Sequence, residues 1–485
     1  MKNLKLEELI PLDLRKHQTV GEIVVEGMRF CSFGARMLGE VAHTLTGECR
    51  KSLKPFLIYD GKPESPLGRL LQEMVDKKWF CDLITPERYA VAPYQGGTAV
   101  VVGYFSERYE DAIFKKPDRA IFINQFEKAK PKQTQTGYYP DVIFADPYLV
   151  IPILYLTLKE YLDGETSGVA SLIKFLGSFG EIGASMKEGA RLAGIMFRDP
   201  EYKTILTLSG AMTPAKMGLV ICDMIDFGMV DFISSTGAIQ AHGLVEGMGL
   251  KHFKHDPKMS DKLLAALKLN RITDLIEPET NLDHVEKIFR EVIINLDGLK
   301  HIGWIELNRM IGEYLTEHFK EQRAILKSAY EKGIPVDIPD MTNSEMFNDF
   351  FVHNQNREEK GLERLIMNAE HSTLFLRNFV LEAKRNGKKL AIFTIGGGGP
   401  RNNVQNIAPL IEIEKIHTGR SLPEVMYSMG VRICPDPEHI GSLGGCKYSE
   451  NISWRKFEPD AKTAEIKADA TIAWPFLVKY VMETI

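Results

Sequence analysis

The sequence predicts an α/β fold, with a parallel sheet flanked by helices and a shortened, related α/β domain ahead of it. Three observations carry this expectation. From about residue 200 onward, short β-branched runs alternate with stretches of helical apolar spacing, the pattern of a parallel sheet covered by helices. Several of those runs end directly on glycine, serine or threonine, where such sheets place their ligand-binding loops. The chain also matches itself at a fixed offset.

The elements follow in order. TILTLSG (204–210) reads as a strand and a turn. PAKMGLVICDMIDFG (214–228) has helical spacing, with Pro214 suited to a first turn. VDFISST (230–236) reads as a strand closing at Gly237, and GIPVDIPDMT (333–342) as a strand leaving a helix. LAIFTIGGGGP (390–400) is a strand, a glycine run and a new helix. The strand ends are therefore Ser209–Gly210, Thr236–Gly237, Thr342–Asn343 and Gly396–Gly399.

An ungapped shift of 149 residues pairs Gly34 with Gly183, Met37 with Met186, Leu57 with Leu206, Gly61 with Gly210 and Asp82 with Asp231. Residues 20–85 and 169–234 are thus expected to be equivalent helix–strand–helix–strand units. DVIFADPYLV (141–150) further resembles DATIAWPFLV (469–478) at a shift of 328, so the second copy is longer by 328 − 149 = 179 residues. The chain is accordingly divided into 1–160, a shortened copy, and 161–485, a full one.

Composition narrows the class. The 485 residues carry a formal charge of −5, with 44% apolar and 26% charged residues. That is an ordinary globular balance, with no general attraction to nucleic acid. Six cysteines, none in a CxxC or another metal-ligand spacing, read as reduced thiols of a cytoplasmic protein, and no metal is expected. The start lacks an apolar segment of the signal-peptide kind. The apolar run 142–158 contains Asp146, Pro147 and Pro152 and reads as core, not as a membrane span.

Three segments could carry chemistry. Gly396 to Gly399 follow a strand directly, so backbone N–H groups there can meet a phosphate at a helix start. A tight turn explains the same run, and the full GxGxxG spacing is broken by Arg401. In GSLGGCKYSENISWRKF (441–457), Trp454 and Lys456 stand two apart and share a face if the segment is extended. A lysine beside an indole in a glycine-lined site suits an amine of lowered pKa acting as a nucleophile, although a surface lysine beside a packed tryptophan gives the same pattern. Asp469, at the end of a strand, suits ribose hydroxyls, a cationic amine or a helix N-cap.

Taken together, GGGGPRNN, GSLGGCKYSENISWRKF and KADATIAWPFLV resemble, in order and spacing, three motifs of the deoxyhypusine synthases. VDFISSTGA (230–238) and IPVDIPDMTNSEMFND (334–349) extend the resemblance over most of residues 165–485. It implies a Rossmann-like fold, a homo-oligomer, and NAD as the oxidant of a polyamine. It also implies a lysine that holds an aminobutyl group as a Schiff base before passing it to an acceptor amine. By the resemblance, Lys456 is the imine-forming lysine, Trp454 lines the polyamine tunnel, and Glu450 binds an amine end. Asp469, Ser209, Thr236, Gly237, Gly397 and Gly398 fall in the NAD-contacting segments.

The departures are specific. Asn402 replaces a catalytic histidine, Asn343 and Asn348 replace two aspartates, and Leu443 replaces an amine-binding aspartate. Glu345 and Asp349 stand near enough in sequence to compensate for the second change. Losing a buried acid for a cationic amine costs several kcal/mol of binding, as an order of magnitude (~3–5). Two readings follow: an aminobutyl transferase with a substrate altered from spermidine, and a catalytically weak paralogue that regulates another subunit. In either, residues 390–410 and 436–470 are expected to meet in one pocket.

Overall fold

A computed structural model describes residues 6–94, 96–103, 109–124, 141–298, 300–340 and 342–484. The chain divides into two compact units, 13–190 with 471–484, and 1–12 with 191–470. The division near residue 160 read from the repeat thus differs from the compact units, since residues 161–190 and the last helix group with the first sheet.

The first of these units is built on five parallel strands. They are β1 (Phe56–Tyr59), β2 (Leu83–Ile84), β3 (Thr98–Val102), β4 (Arg119–Ile123) and β5 (Asp141–Ile143), in the order β2-β1-β3-β4-β5. Strands β3 and β4 are apolar on both faces, as a covered parallel sheet requires. Phe56, Ile58, Ile84, Tyr89, Val101 and Phe122 build one core. The helix Pro147–Asp163 holds most of the apolar run read as core; its residues Leu149 to Leu158 are all buried. Among the described residues, no helix is long and apolar enough to cross a membrane.

The second unit carries six parallel strands. Its first two strands are β6 (Tyr202–Leu208) and β7 (Phe232–Ser234). Next comes a small antiparallel sheet of β8 (Phe253–Lys254), β9 (Leu269–Ile272) and β10 (Leu275–Pro278). β11 (His301–Ile302) pairs with β13 (Ile366–Met367), and β12 (Val336–Asp337) lies between them in sequence. The chain then returns to the main sheet with β14 (Lys389–Ile395), β15 (Tyr427–Ile433) and β16 (Phe457–Ile466). The main order is β12-β7-β6-β14-β15-β16, all parallel. Ile205, Phe232, Ile392, Val404, Tyr427 and Phe457 lie in its core.

Omitting β12, the second order reads β7-β6-β14-β15-β16, the same path as β2-β1-β3-β4-β5. The shift of 149 carries β1 into β6 and β2 into β7, and it carries the helix Phe33–Glu48 into Gly180–Arg198. The pairing register differs by one: Leu57 faces Leu83, whereas Leu206 faces Ile233.

Two sequence expectations need correction. The shift of 328 is displaced by five residues, because Ile143-Phe144-Ala145-Asp146 and Ile466-Lys467-Ala468-Asp469 end the last strands at a shift of 323. In both, the alanine N–H bonds back to the isoleucine carbonyl at 3.0 Å. Apolar similarity between DVIFADPYLV and DATIAWPFLV had masked this. The helix expected from Pro214 starts at Gly218, after a turn in which Thr213 caps the Gly210 carbonyl through its hydroxyl at 2.7 Å.

Candidate functional site

The ends of β6, β7 and β14 form one rim. The Gly210 N–H donates to Thr236 Oγ1 at 3.1 Å. A Cβ at Gly396 would lie 3.3 Å from Ser209 Cβ, and one at Gly237 would lie 2.0 Å from Ser344 Cβ. Ser344 caps the helix Glu345–Glu359, its hydroxyl accepting from the Phe347 N–H at 3.2 Å. Ser209, Thr236, Gly237 and Gly396 are thereby side by side, with Ser344 against Gly237.

The glycine run does two different things. Gly396 has φ +74°, which lets β14 turn sharply into the helix Gly398–Thr418. A Cβ at Gly397 or Gly399 would meet open space. A Cβ at Gly398 would fall 2.2 Å from Leu443 Cβ, 2.5 Å from Leu443 C and 2.7 Å from Gly444 N. At Gly398, glycine admits the backbone of the 441–447 loop.

Two buried arginines hold that loop. Arg401 donates from Nη1 to the Cys446 carbonyl at 2.9 Å and from Nη2 to the Leu443 carbonyl. Arg432 donates to the Gly444 carbonyl and, from Nη2, to Glu465 Oε2 at 2.7 Å. The other Glu465 oxygen accepts from the Tyr448 N–H at 2.7 Å. Both arginines are 2% exposed. The sequence reading passed over these roles; Arg432 inside the apolar strand YSMGVRI was the legible signal.

The loop leads into the short helix Tyr448–Ser453 and then to Lys456. The extended segment expected for Trp454 and Lys456 is instead a turn: Arg455 has φ +53°, and the Lys456 N–H bonds the Asn451 carbonyl at 3.0 Å. The turn still brings the two side chains together, with Lys456 Nζ 5.7 Å from the Trp454 ring centroid. Lys456 Nζ donates to Asn402 Oδ1 at 3.0 Å, so the segments 390–410 and 436–470 meet. Lys456 is 6% exposed. Burial pushes its amine below the ordinary lysine range, and the Arg401 guanidinium pushes it further; Cys446 and Glu450 oppose.

The remaining candidates are more open. Trp454 is 63% and Leu443 49% exposed. Glu450 is exposed on the short helix, and Asn348 is exposed in the first turn of Glu345–Glu359. Asp469 stands half-buried between β16 and the helix Ala470–Thr484. The arrangement offers a buried amine of weakened basicity, a carboxamide touching it, an indole beside it, and a rim of open backbone next to the helix Gly398–Thr418.

The profile of the deoxyhypusine synthase family matches residues 171–481. A protein of Archaeoglobus fulgidus named "Probable deoxyhypusine synthase 1" is 27% identical over 317 residues, covering 65% of this chain and 94% of its own length. A "Deoxyhypusine synthase-like protein" of Chlorobaculum parvum is 28% identical over 299 residues, covering 61% of this chain and 81% of its own. Another protein of that name, from Elusimicrobium minutum, is 24% identical over 330 residues, covering 68% of this chain and 83% of its own. With most of the chain matched by one profile, and with that match spanning the glycine run, the 441–447 loop and Lys456, this chain belongs to the deoxyhypusine synthase family.

Proposed function

We propose that the chain is an NAD-dependent transferase that moves an aminobutyl or similar aminoalkyl group between amines through an imine on Lys456. The observation that carries this reading is the buried Lys456 amine, depressed in basicity by its surroundings and touching Asn402 at 3.0 Å. A nucleophilic lysine must be partly neutral at working pH, and burial beside a second cation is how proteins achieve that.

The rim suits a dinucleotide. Gly397 and Gly399 leave open backbone at the start of a 21-residue helix, whose N–H groups and positive end favour a phosphate. Ser209, Thr236, Gly237, Gly397, Gly398 and Asp469 would hold NAD, Gly398 through its N–H. NAD bound there supplies the hydride acceptor that makes an amine carbon electrophilic and the donor that later restores it. Lys456 adds through Nζ to that carbon; the original carbon–nitrogen bond breaks, and the released amine leaves with the proton. An acceptor amine then adds to the Lys456 imine and displaces the lysine.

Asn402 accepts a hydrogen bond from Lys456 and orients it, and a carboxamide takes no proton at neutral pH. Turnover is therefore slow, or solvent or substrate serves as base. Trp454 presents a π-face for a substrate cation, and Glu450 a carboxylate for a far amine. With Leu443 in place of an acid, the donor differs from spermidine in its usual pose. Exposed Ile440, Leu443 and Trp454 lie in and beside the loop and suit burial in a homo-oligomer, which analytical ultracentrifugation tests.

Borohydride trapping tests the chemistry. Protein is incubated with NAD and a panel of radiolabelled polyamines, then reduced. Label retained by wild type and absent from Lys456→Ala is expected. Wild type that binds NAD but retains no label with any amine refutes the transferase and leaves the regulatory paralogue, which Asn402 and Leu443 favour.

A further inference from the structure

Away from Lys456, three buried side chains converge. His242 lies on the helix Ala238–Gly247, His252 just ahead of β8, and Glu277 in β10. They are 7%, 0% and 1% exposed. His242 Nδ1 is 3.1 Å from Glu277 Oε2, and His252 Nε2 is 3.2 Å from Glu277 Oε1. One donor atom from each residue lies within 4.8 Å of the other two.

Those separations are short enough for hydrogen bonds, yet His242 Nδ1, His252 Nε2 and Glu277 Oε1 have no aligned partner. Three such atoms gathered at one point call for a physical cause, because each unsatisfied buried group costs about 1–3 kcal/mol. A shared cation would satisfy all three. With metal–ligand bonds of about 2.0–2.2 Å at tetrahedral angles, neighbouring donor atoms lie about 3.3–3.5 Å apart. Here His242 Nδ1 and His252 Nε2 approach different oxygens of Glu277, at 3.1 and 3.2 Å, and one donor atom from each residue lies within 4.8 Å of the others. We infer that His242, His252 and Glu277 bind a divalent transition-metal cation of the zinc class.

The donor set agrees with the geometry: two imidazoles and a carboxylate are ordinary ligands of that class of cation.

Lys216 positions the His252 ring. Its Nζ is 2.9 Å from His252 Nδ1 and 3.0 Å from Glu246 Oε1, so Nε2 is the ring nitrogen turned to Glu277. The enclosure marks the cation as structural. It ties the helix Ala238–Gly247 to the β8-β10-β9 sheet, beside which Leu264, Leu269 and Ile276 form a small buried apolar cluster.

The test uses the full chain, stripped with chelator and dialysed against Zn²⁺ or Co²⁺. Expected results are about one equivalent by elemental analysis and cobalt d–d bands without thiolate charge transfer. A thermal midpoint that rises with metal and falls with chelator is also expected. Glu277→Gln and His252→Asn should each lose bound cobalt. Sub-stoichiometric binding by wild type, or thiolate charge-transfer bands showing cysteine capture, overturns the site. Binding retained in both ligand variants also overturns it. Should those variants fail to fold, the wild-type cobalt spectrum decides alone.

Discussion

Gly398→Ala should damage the candidate site through packing alone. An added Cβ at Gly398 overlaps Leu443 Cβ at 2.2 Å, Leu443 C at 2.5 Å and Gly444 N at 2.7 Å. Two of these are backbone atoms of a loop held by Arg401 and Arg432, so no rotamer change relieves them. Overpacking of this kind costs about 1–3 kcal/mol. In a unit of this size that lowers the thermal midpoint by about 2–6 °C. Gly399→Ala is the control, because a Cβ there meets nothing and alanine favours a helix by up to ~1 kcal/mol. Differential scanning fluorimetry compares the two, and borohydride trapping reads whether displacing the loop also disturbs Lys456. Equal midpoints for the two variants would show that the loop yields freely and that Gly398 is not its seat.

Other perturbations follow from buried charge. Asp337 is raised to about 6 by burial, against opposition from Ser372, so its stabilising protonated form is complete below about 3.8 and lost as pH rises through 6. Asp337→Asn should therefore stabilise the chain at pH 7 by roughly 1–3 kcal/mol, with the gain vanishing below pH 4 in urea titrations. Lys456 is lowered, so the unfolded chain binds more protons between its folded value and 10.5, and stability rises with pH across that window. Lys456→Met should stabilise at neutral pH, the gain shrinking as pH approaches 10.5; a gain constant with pH would mean that the amine is not strained by burial. Arg323 pairs at 2.6 Å with Asp223, which is fully buried, so Arg323→Ala should cost about 1–3 kcal/mol in chemical denaturation by removing a charge-assisted hydrogen bond from that carboxylate.

Local pattern carried the parallel sheet, because strands such as β6 and β14 are apolar on both faces and end on small residues. It also carried the meeting of Asn402 with Lys456, through motif order. It misjudged the Trp454–Lys456 segment, because a left-handed residue at Arg455 has no mark in an arginine side chain. The two loop-holding arginines were missed because their partners are carbonyls, which no side-chain pattern announces. The His242, His252 and Glu277 cluster was missed because its members stand 10 and 25 residues apart, on a helix, a loop and a strand that only the tertiary fold assembles.

The two sheets show how one strand path gains or lacks a site. At matching ends, the Gly103 and Gly396 N–H groups bond Ile123 and Ile433 carbonyls at 2.9 and 2.8 Å, and Asn124 and Cys434 bond Ile143 and Ile466 at 3.1 and 3.0 Å. The backbone exits are therefore alike, and the chemistry differs in what hangs from them. Between β2 and β3 the chain has residues 85–97; between β7 and β14 it has residues 235–388, which hold the Gly237–Ser344 contact and the His242, His252 and Glu277 cluster. Between β4 and β5 the sequence contains no tryptophan, whereas β15 to β16 carries the Trp454–Lys456 turn. A strand scaffold supplies positions at its carboxyl edge, and the side chains of the connections decide whether those positions do chemistry. With its shorter connection between β2 and β3, the five-stranded unit is expected to do no trapping chemistry of its own. Lys456→Ala alone should then abolish all trapping, whatever lysines remain in residues 13–190.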